Sequence, residues 1–131
     1  MIAVDSSALI AIMLNEAERA SFLDILDNAP AIVMSAPSLV ETRLVAWARG
    51  QELLVDQVNA LVVAYGIEIA PPGLPEADYA HAANVRYGKG SGHRAQLNFG
   101  DLFAYALAKS RDIPLLFKGH DFAHTDIMSA V

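Results

Sequence analysis

The sequence predicts an α/β fold of three layers, α/β/α, with helices on both faces of a mostly parallel sheet of four to five strands. Short apolar runs alternate with helix-period segments along the whole chain, which is the pattern of repeated strand–helix units. The runs at Ile2–Val4, Ala31–Met34 and within Pro114–Lys118 are apolar at successive positions rather than at every second one, as strands covered on both faces must be, and Ile67–Ala70 is a further strand, apolar except for Glu68. No repeat, low-complexity tract or linker interrupts the 131 residues, a length that suits one domain, 1–131, with a sizeable core.

The elements follow in order. Ile2–Val4 is a first strand ending at Asp5. Ser6 or Ser7 is placed to cap a helix that reaches Asn15. Glu16–Asn28 carries Phe22, Leu23 and Leu26 at helical spacing and is broken by Pro30. After the second strand, Ser35 with Pro37 just inside starts a helix that stops at Gly50. Gln51–Tyr65 is a further helix with Leu54, Val58, Leu61 and Val62 on one face, ended by Gly66. The third strand is closed by Pro71–Pro72. Pro75–Tyr87 is helical, Gly88–Gly92 (GKGSG) is a flexible loop, and Asn98 caps a helix running to about Arg111. After the fourth strand the chain is a loop, with a short last strand expected near Ile127–Met128.

Composition narrows the chemistry. Hydrophobic residues make up 54% and charged residues 18% of the chain, which is globular rather than disordered. There is no cysteine, so disulfides, zinc–thiolate sites and cysteine nucleophiles are excluded, and a reducing cytoplasm is compatible. The start, MIAVDSSALIAIML, has no basic n-region and is interrupted by Asp5, unlike a secretory signal. A formal net charge of −6 argues against a binder that tracks phosphates with a basic surface. It does not exclude an enzyme that receives phosphates through a divalent cation.

Four acids stand at the ends of elements. Asp5 follows the first strand, Asp121 follows the fourth after a KGH turn, and Glu41 and Asp101 lie in the first two turns of their helices. Each has an ordinary explanation. Asp5 suits a helix cap, Asp101 with Asn98 makes a capping box, Glu41 suits a helix surface, and Asp121 suits a turn. Yet Glu41 and Asp101 have no cation at helical neighbour positions, and in a parallel sheet all four acids converge on the carboxyl edge, where ligands bind. Clustered carboxylates repel and shift each other's pKa unless a cation sits among them. An oxygen-only ligand set suits Mg2+ or Mn2+, ions that activate water and orient phosphate in phosphodiester hydrolysis.

The stretches MIAVDSSALIAIMLNE, APSLVETRLV and LNFGDLFAYALAKSRDIPLLFKGHDFAHTDI, with YGKG before the last, resemble the PIN-domain ribonucleases, specifically the VapC-type toxins of bacterial toxin–antitoxin pairs. The resemblance spans Met1 to about Ile127, and the block from Leu97 is its most specific part. It implies that Asp5 and Asp101 are the principal metal ligands. Glu41 would help to hold the metal or position water, and Asp121 would complete the pocket directly or through water. Asp126 would be a further acid near the same edge, with a role that varies across the family. Ser7 is read first as a helix cap and second as a hydrogen-bonding support for Asp5 or the phosphate. The resemblance further implies an RNA substrate, Mg2+ with Mn2+ as the alternative cofactor, a VapB antitoxin whose C-terminal segment fills the groove, often with an arginine reaching the acids, and self-pairing into a homodimer.

Other candidates carry less. His81, His93, His120 and His124 form no metal-binding motif and read as loop or surface residues. GKGSG lacks the phosphate-loop pattern, and Lys89 and Arg94 beside it are solvated charges first and RNA-backbone contacts second. Ser35 and Ser38 have no His–Asp pair. Leu44 and Trp47 read as core or interface. Two competing functions remain: a PIN-like binding module without a competent metal, and a phosphotransfer receiver. The receiver needs an early acidic pair and a mid-chain strand-end Asp, and neither is present.

Overall fold

A computed structural model describes all residues, 1–131. Strands β1 (Ile2–Val4), β2 (Ile32–Ser35), β3 (Glu68–Ala70) and β4 (Leu115–Leu116) form one sheet in the order β3-β2-β1-β4. Every pairing is parallel, with Ala3 opposite Val33 on one side and Leu115 on the other. Five helices surround it: α1 (Ser6–Met13), α2 (Arg19–Asn28), α3 (Ala36–Ala64), α4 (Leu74–Tyr87) and α5 (Phe99–Arg111).

The pleat sends successive strand residues to opposite faces. Ala3, Val33 and Leu115 join Leu102, Tyr105 and Leu107 in a core under α4 and α5. Val4, Met34 and Leu116 join Leu9, Ile12, Phe22 and Leu26 in a second core under α1, α2 and α3. These are the three layers expected of a sheet whose inner strands β1 and β2 bury residues on both faces.

The chain moves from β1 outward through β2 to β3, then returns to β4 on the other side of β1. The strand order therefore reverses between β1 and β4, and the crevice at such a reversal is where parallel sheets bind ligands. Asp5 leaves β1 at that point, and the segment after β4 carries Asp121.

The elements depart from the sequence reading at some points and match it at others. Residues 14–18 are not helical, because Asn15 takes a left-handed conformation (φ 55°) that ends the first helix, and the second starts only at Arg19. Glu16 and Glu18, freed from the helix, both reach the Lys118 ammonium at 3.1 and 3.0 Å. The long α3 contains the expected break at Gly50, followed by Gln51 at φ 54°. Beyond β4 there is no fifth strand, only a parallel bridge between Leu115 and Ser129. The Gly-rich segment is closed at its base, where Lys89 N donates to Leu97 O and Leu97 N to Tyr87 O. Gly90 and Gly92 take φ of +86° and +84° there, a conformation that suits glycine.

Candidate active site

Asp5 is the N-cap of α1. Its Oδ2 accepts from Ser7 N at 3.0 Å, and its backbone N–H donates to Leu116 O at 3.0 Å, which fixes the residue between β1 and β4. Only 2% of it is exposed. Its other carboxylate oxygen, Oδ1, is buried and has no hydrogen-bond partner, a costly arrangement for a charged group. Burial raises its pKa, with hydrogen bonds from Ser7 opposing the rise and the Glu41 charge adding to it. Ser7 is not the cap. Its Oγ accepts from Lys118 N at 3.0 Å, which ties the start of α1 to the segment leading to Asp121.

Asp101 stands in the first turn of α5 and does form the capping box. Its N–H donates to Asn98 Oδ1 at 2.9 Å, and its Oδ2 accepts from Asn98 N at 3.0 Å. That box fixes the carboxylate's position. Burial lifts its pKa to about 6 against the downward pull of the Asn98 amide, and the charges of Asp5, Asp121 and Glu41 push it up further. All four sequence-predicted acids are thus within electrostatic reach at one edge of the sheet.

Glu41 sits on α3, which packs against α5. Ser6 Oγ donates to Glu41 Oε1. Ser6, 5% exposed, was expected only as a possible cap. The adjacency of two serines to Asp5 is its one signal in the sequence. Asp121 is exposed and precedes the short 3-10 turn Phe122–His124. None of the four acids takes part in an ion pair; the paired carboxylates are Glu16, Glu18, Glu68 and Asp126.

Asp126 lies elsewhere in its contacts. It accepts from Tyr105 OH at 2.6 Å and from Lys109 Nζ at 3.0 Å. Those bonds hold its pKa below the usual range even though burial alone would raise it. Among the histidines, His93 accepts from Ala95 N at 3.0 Å and stands edge-on to Tyr87 at 4.9 Å. Leu44 and Trp47 are not core residues; they are 65% and 51% exposed.

The donor set of the pocket is oxygen only, it holds an orphaned buried carboxylate oxygen, and the chain supplies it with no cation. These properties fit a hard divalent ion. No three His, Asp or Glu side chains converge tightly enough to make a finished metal cage.

The model of the PIN domain matches residues 2–128. Ribonuclease VapC42 of Mycobacterium tuberculosis is 40% identical over 127 residues, 97% of each chain. The chain belongs to the PIN-domain family, among the VapC ribonucleases. Solved structures share its fold at low identity. Mycobacterium tuberculosis VapC20, described as a Sarcin-Ricin loop cleaving toxin, superposes with a TM-score of 0.79 at 17% identity, covering 98% of this chain and 97% of its own. VapBC2 from Rickettsia felis, bound to a DNA fragment from its promoter, gives 0.77 at 14% identity, covering 98% and 96%. In this PIN domain no helix is long and apolar enough to cross a membrane.

Proposed function

We propose that the chain is a metal-dependent endoribonuclease and the toxin of a bacterial type II toxin–antitoxin pair. One observation supports the reading: in a VapC-family chain, Asp5, Glu41 and Asp121 all lie within electrostatic reach of Asp101, and none of the four has a cation of the chain's own. Asp5 and Asp101 are assigned as the principal ligands of Mg2+, or of Mn2+, with Glu41 and Asp121 completing the pocket. The bound ion would supply a polarised water and charge neutralisation at the scissile phosphate. The chain's own residues do the rest. The capping box holds the Asp101 carboxylate in place, the Ser7–Lys118 bond holds the β1 and β4 ends together, and the burial of Asp5 keeps bulk water from screening its charge.

The substrate is RNA, and the partner is a VapB-like antitoxin. A pocket of uncompensated acids in a chain of net charge −6 suits a basic antitoxin segment whose arginine enters the pocket. Self-pairing into a homodimer and a cytoplasmic location complete the assignment. The competing reading, a binding module, draws on the lack of a finished cage and predicts that metal neither stabilises the protein nor supports cleavage.

The test is RNA cleavage by purified, antitoxin-free protein with Mg2+, with Mn2+ and with EDTA, beside Asp101→Asn. Metal-dependent cleavage lost in the variant is expected. Cleavage that persists in EDTA would overturn the metal assignment, and no cleavage together with no metal-induced rise in Tm would favour the binding module.

A further inference from the structure

Gly100 lies between the capping residue Asn98 and Asp101, in the first turn of α5. Its backbone is helical, with no positive φ, so no turn geometry calls for glycine there. Glycine in a helix is unfavourable relative to alanine. The reason for its presence is spatial. A Cβ placed on Gly100 would overlap Glu41 Oε2 and come within 2.9 Å of Cδ and 3.2 Å of Oε1. The Glu41 carboxylate therefore rests against the bare Cα of Gly100, in the space that any other side chain would fill. Ser6 Oγ holds the same carboxylate from α1 through Oε1. Glu41 is thus seated between α1 and the start of α5, where the helix macrodipole also favours an anion.

We propose that Gly100 is a positioning residue: the missing side chain forms the slot that keeps the Glu41 carboxylate facing Asp5 and Asp101. The inference rests on the metal-nuclease reading and deepens it. Gly100→Ala need not unfold the protein. The group in the way is the far end of a flexible side chain, and Glu41 also lines an open hollow of about 560 Å³ beside Val40, Leu44, Phe99 and Phe103. The carboxylate can swing into that hollow and leave the pocket.

The experiment is a Mn2+ titration of the full chain, read by the binding isotherm rather than by activity. It uses wild type, Gly100→Ala, Glu41→Ala and the double variant, with Tm recorded for each in EDTA. Gly100→Ala is expected to keep or raise the metal-free Tm, because alanine suits a helix and restricts the unfolded chain. It should weaken Mn2+ about 10-fold, the scale of a displaced supporting group in a metal site. In the Glu41→Ala background the same change should cost less than about 2-fold, since no carboxylate is left to displace. Unchanged Mn2+ affinity in Gly100→Ala would overturn the proposal. So would an equal loss in both backgrounds, which would mean that the change acts on Asp101 or the helix start. If wild type binds no Mn2+, the metal reading itself fails, a result distinct from wild type binding and Gly100→Ala binding equally well.

Discussion

Asp101 and Asp126 flank the same stretch of α5 and β4, yet the fold treats them in opposite ways. Asp126 is given a cation and a phenol, Lys109 and Tyr105, and its pKa falls. Asp101 is given one backbone amide and three further acids, and its pKa rises to about 6. Asp5 is more extreme, buried with one oxygen unpartnered. The same contrast separates Glu16 and Glu18, which share Lys118, from Glu41, which has only Ser6. Where a carboxylate serves the fold, the chain neutralises it. Where it is left unneutralised at the switch point of the sheet, its charge is open to a proton or to a cation from outside.

The largest expected effect separates the two groups by activity. Asp101→Asn or Asp5→Asn should lower metal-dependent RNA cleavage at least about 100-fold, as loss of a principal ligand does. Far-UV circular dichroism should be unchanged. Asp5→Asn should also raise the metal-free Tm at neutral pH, because a buried, unpaired charge is removed. A variant at either position that cuts as well as wild type would break the comparison at its centre.

The second effect is on stability and its pH dependence. The Asp101 carboxyl titrates at about 6 in the folded chain, above its unfolded value of about 3.9. The folded state therefore holds the proton more tightly between those two values. Stability in EDTA should fall as pH rises from about 4 through about 6, with a Tm loss of roughly 5 °C after allowing for partial exposure. Mg2+ should reverse the loss. At about tenfold over its Kd an ion that binds only the folded state adds about 1.4 kcal/mol. The gain should be larger at neutral pH than near pH 5, where protons compete for Asp101 and Asp5. Thermal melts across pH, with and without Mg2+, decide this, and a metal effect independent of pH would argue against binding at these acids.

How much of this was legible follows from the range of each contact. Asp5 and Asp101 are fixed by neighbours one to three residues away, Ser7 and Asn98, so strand end and capping box could be read directly. That they meet depends on the strand order, and the alternation of elements already implied a parallel sheet. Glu41 stands out because no cation occupies its helical neighbour positions, which is also a local fact. Ser6 and Gly100 were not legible as parts of the site. Their roles exist only once α3 lies against α1 and α5, bringing Glu41 to residues 35 positions before it and 59 after it. Asp126 enters the reading only through the family resemblance, as a further acid of variable role, and its partners in the fold are Tyr105 and Lys109, one and two α5 turns beyond Asp101. The expected fifth strand failed for a simpler reason: after Leu115 and Leu116 only Ser129 returns to the sheet, and one bridge does not make a ladder.

The smallest effect is the one that sharpens the contrast most. Asp126→Asn removes a half-exposed ion pair with Lys109 and weakens a hydrogen bond from the Tyr105 hydroxyl. Exposed pairs contribute little, and a hydrogen bond to a charged group somewhat more, so a loss of about 1 kcal/mol is expected in urea unfolding at neutral pH. Because the folded pKa of Asp126 is depressed, this contribution is complete above the unfolded value of about 3.9 and disappears as pH falls through the folded value. The variant and wild type should therefore converge in stability in acid. Cleavage and Mn2+ affinity should stay within about 2-fold of wild type, since the residue's charge is spent on Lys109 rather than offered to a ligand. A variant that kept its stability but lost metal binding would place Asp126 in the pocket. The distinction between neutralised and unneutralised acids would then fail as a guide to which carboxylates hold the ion.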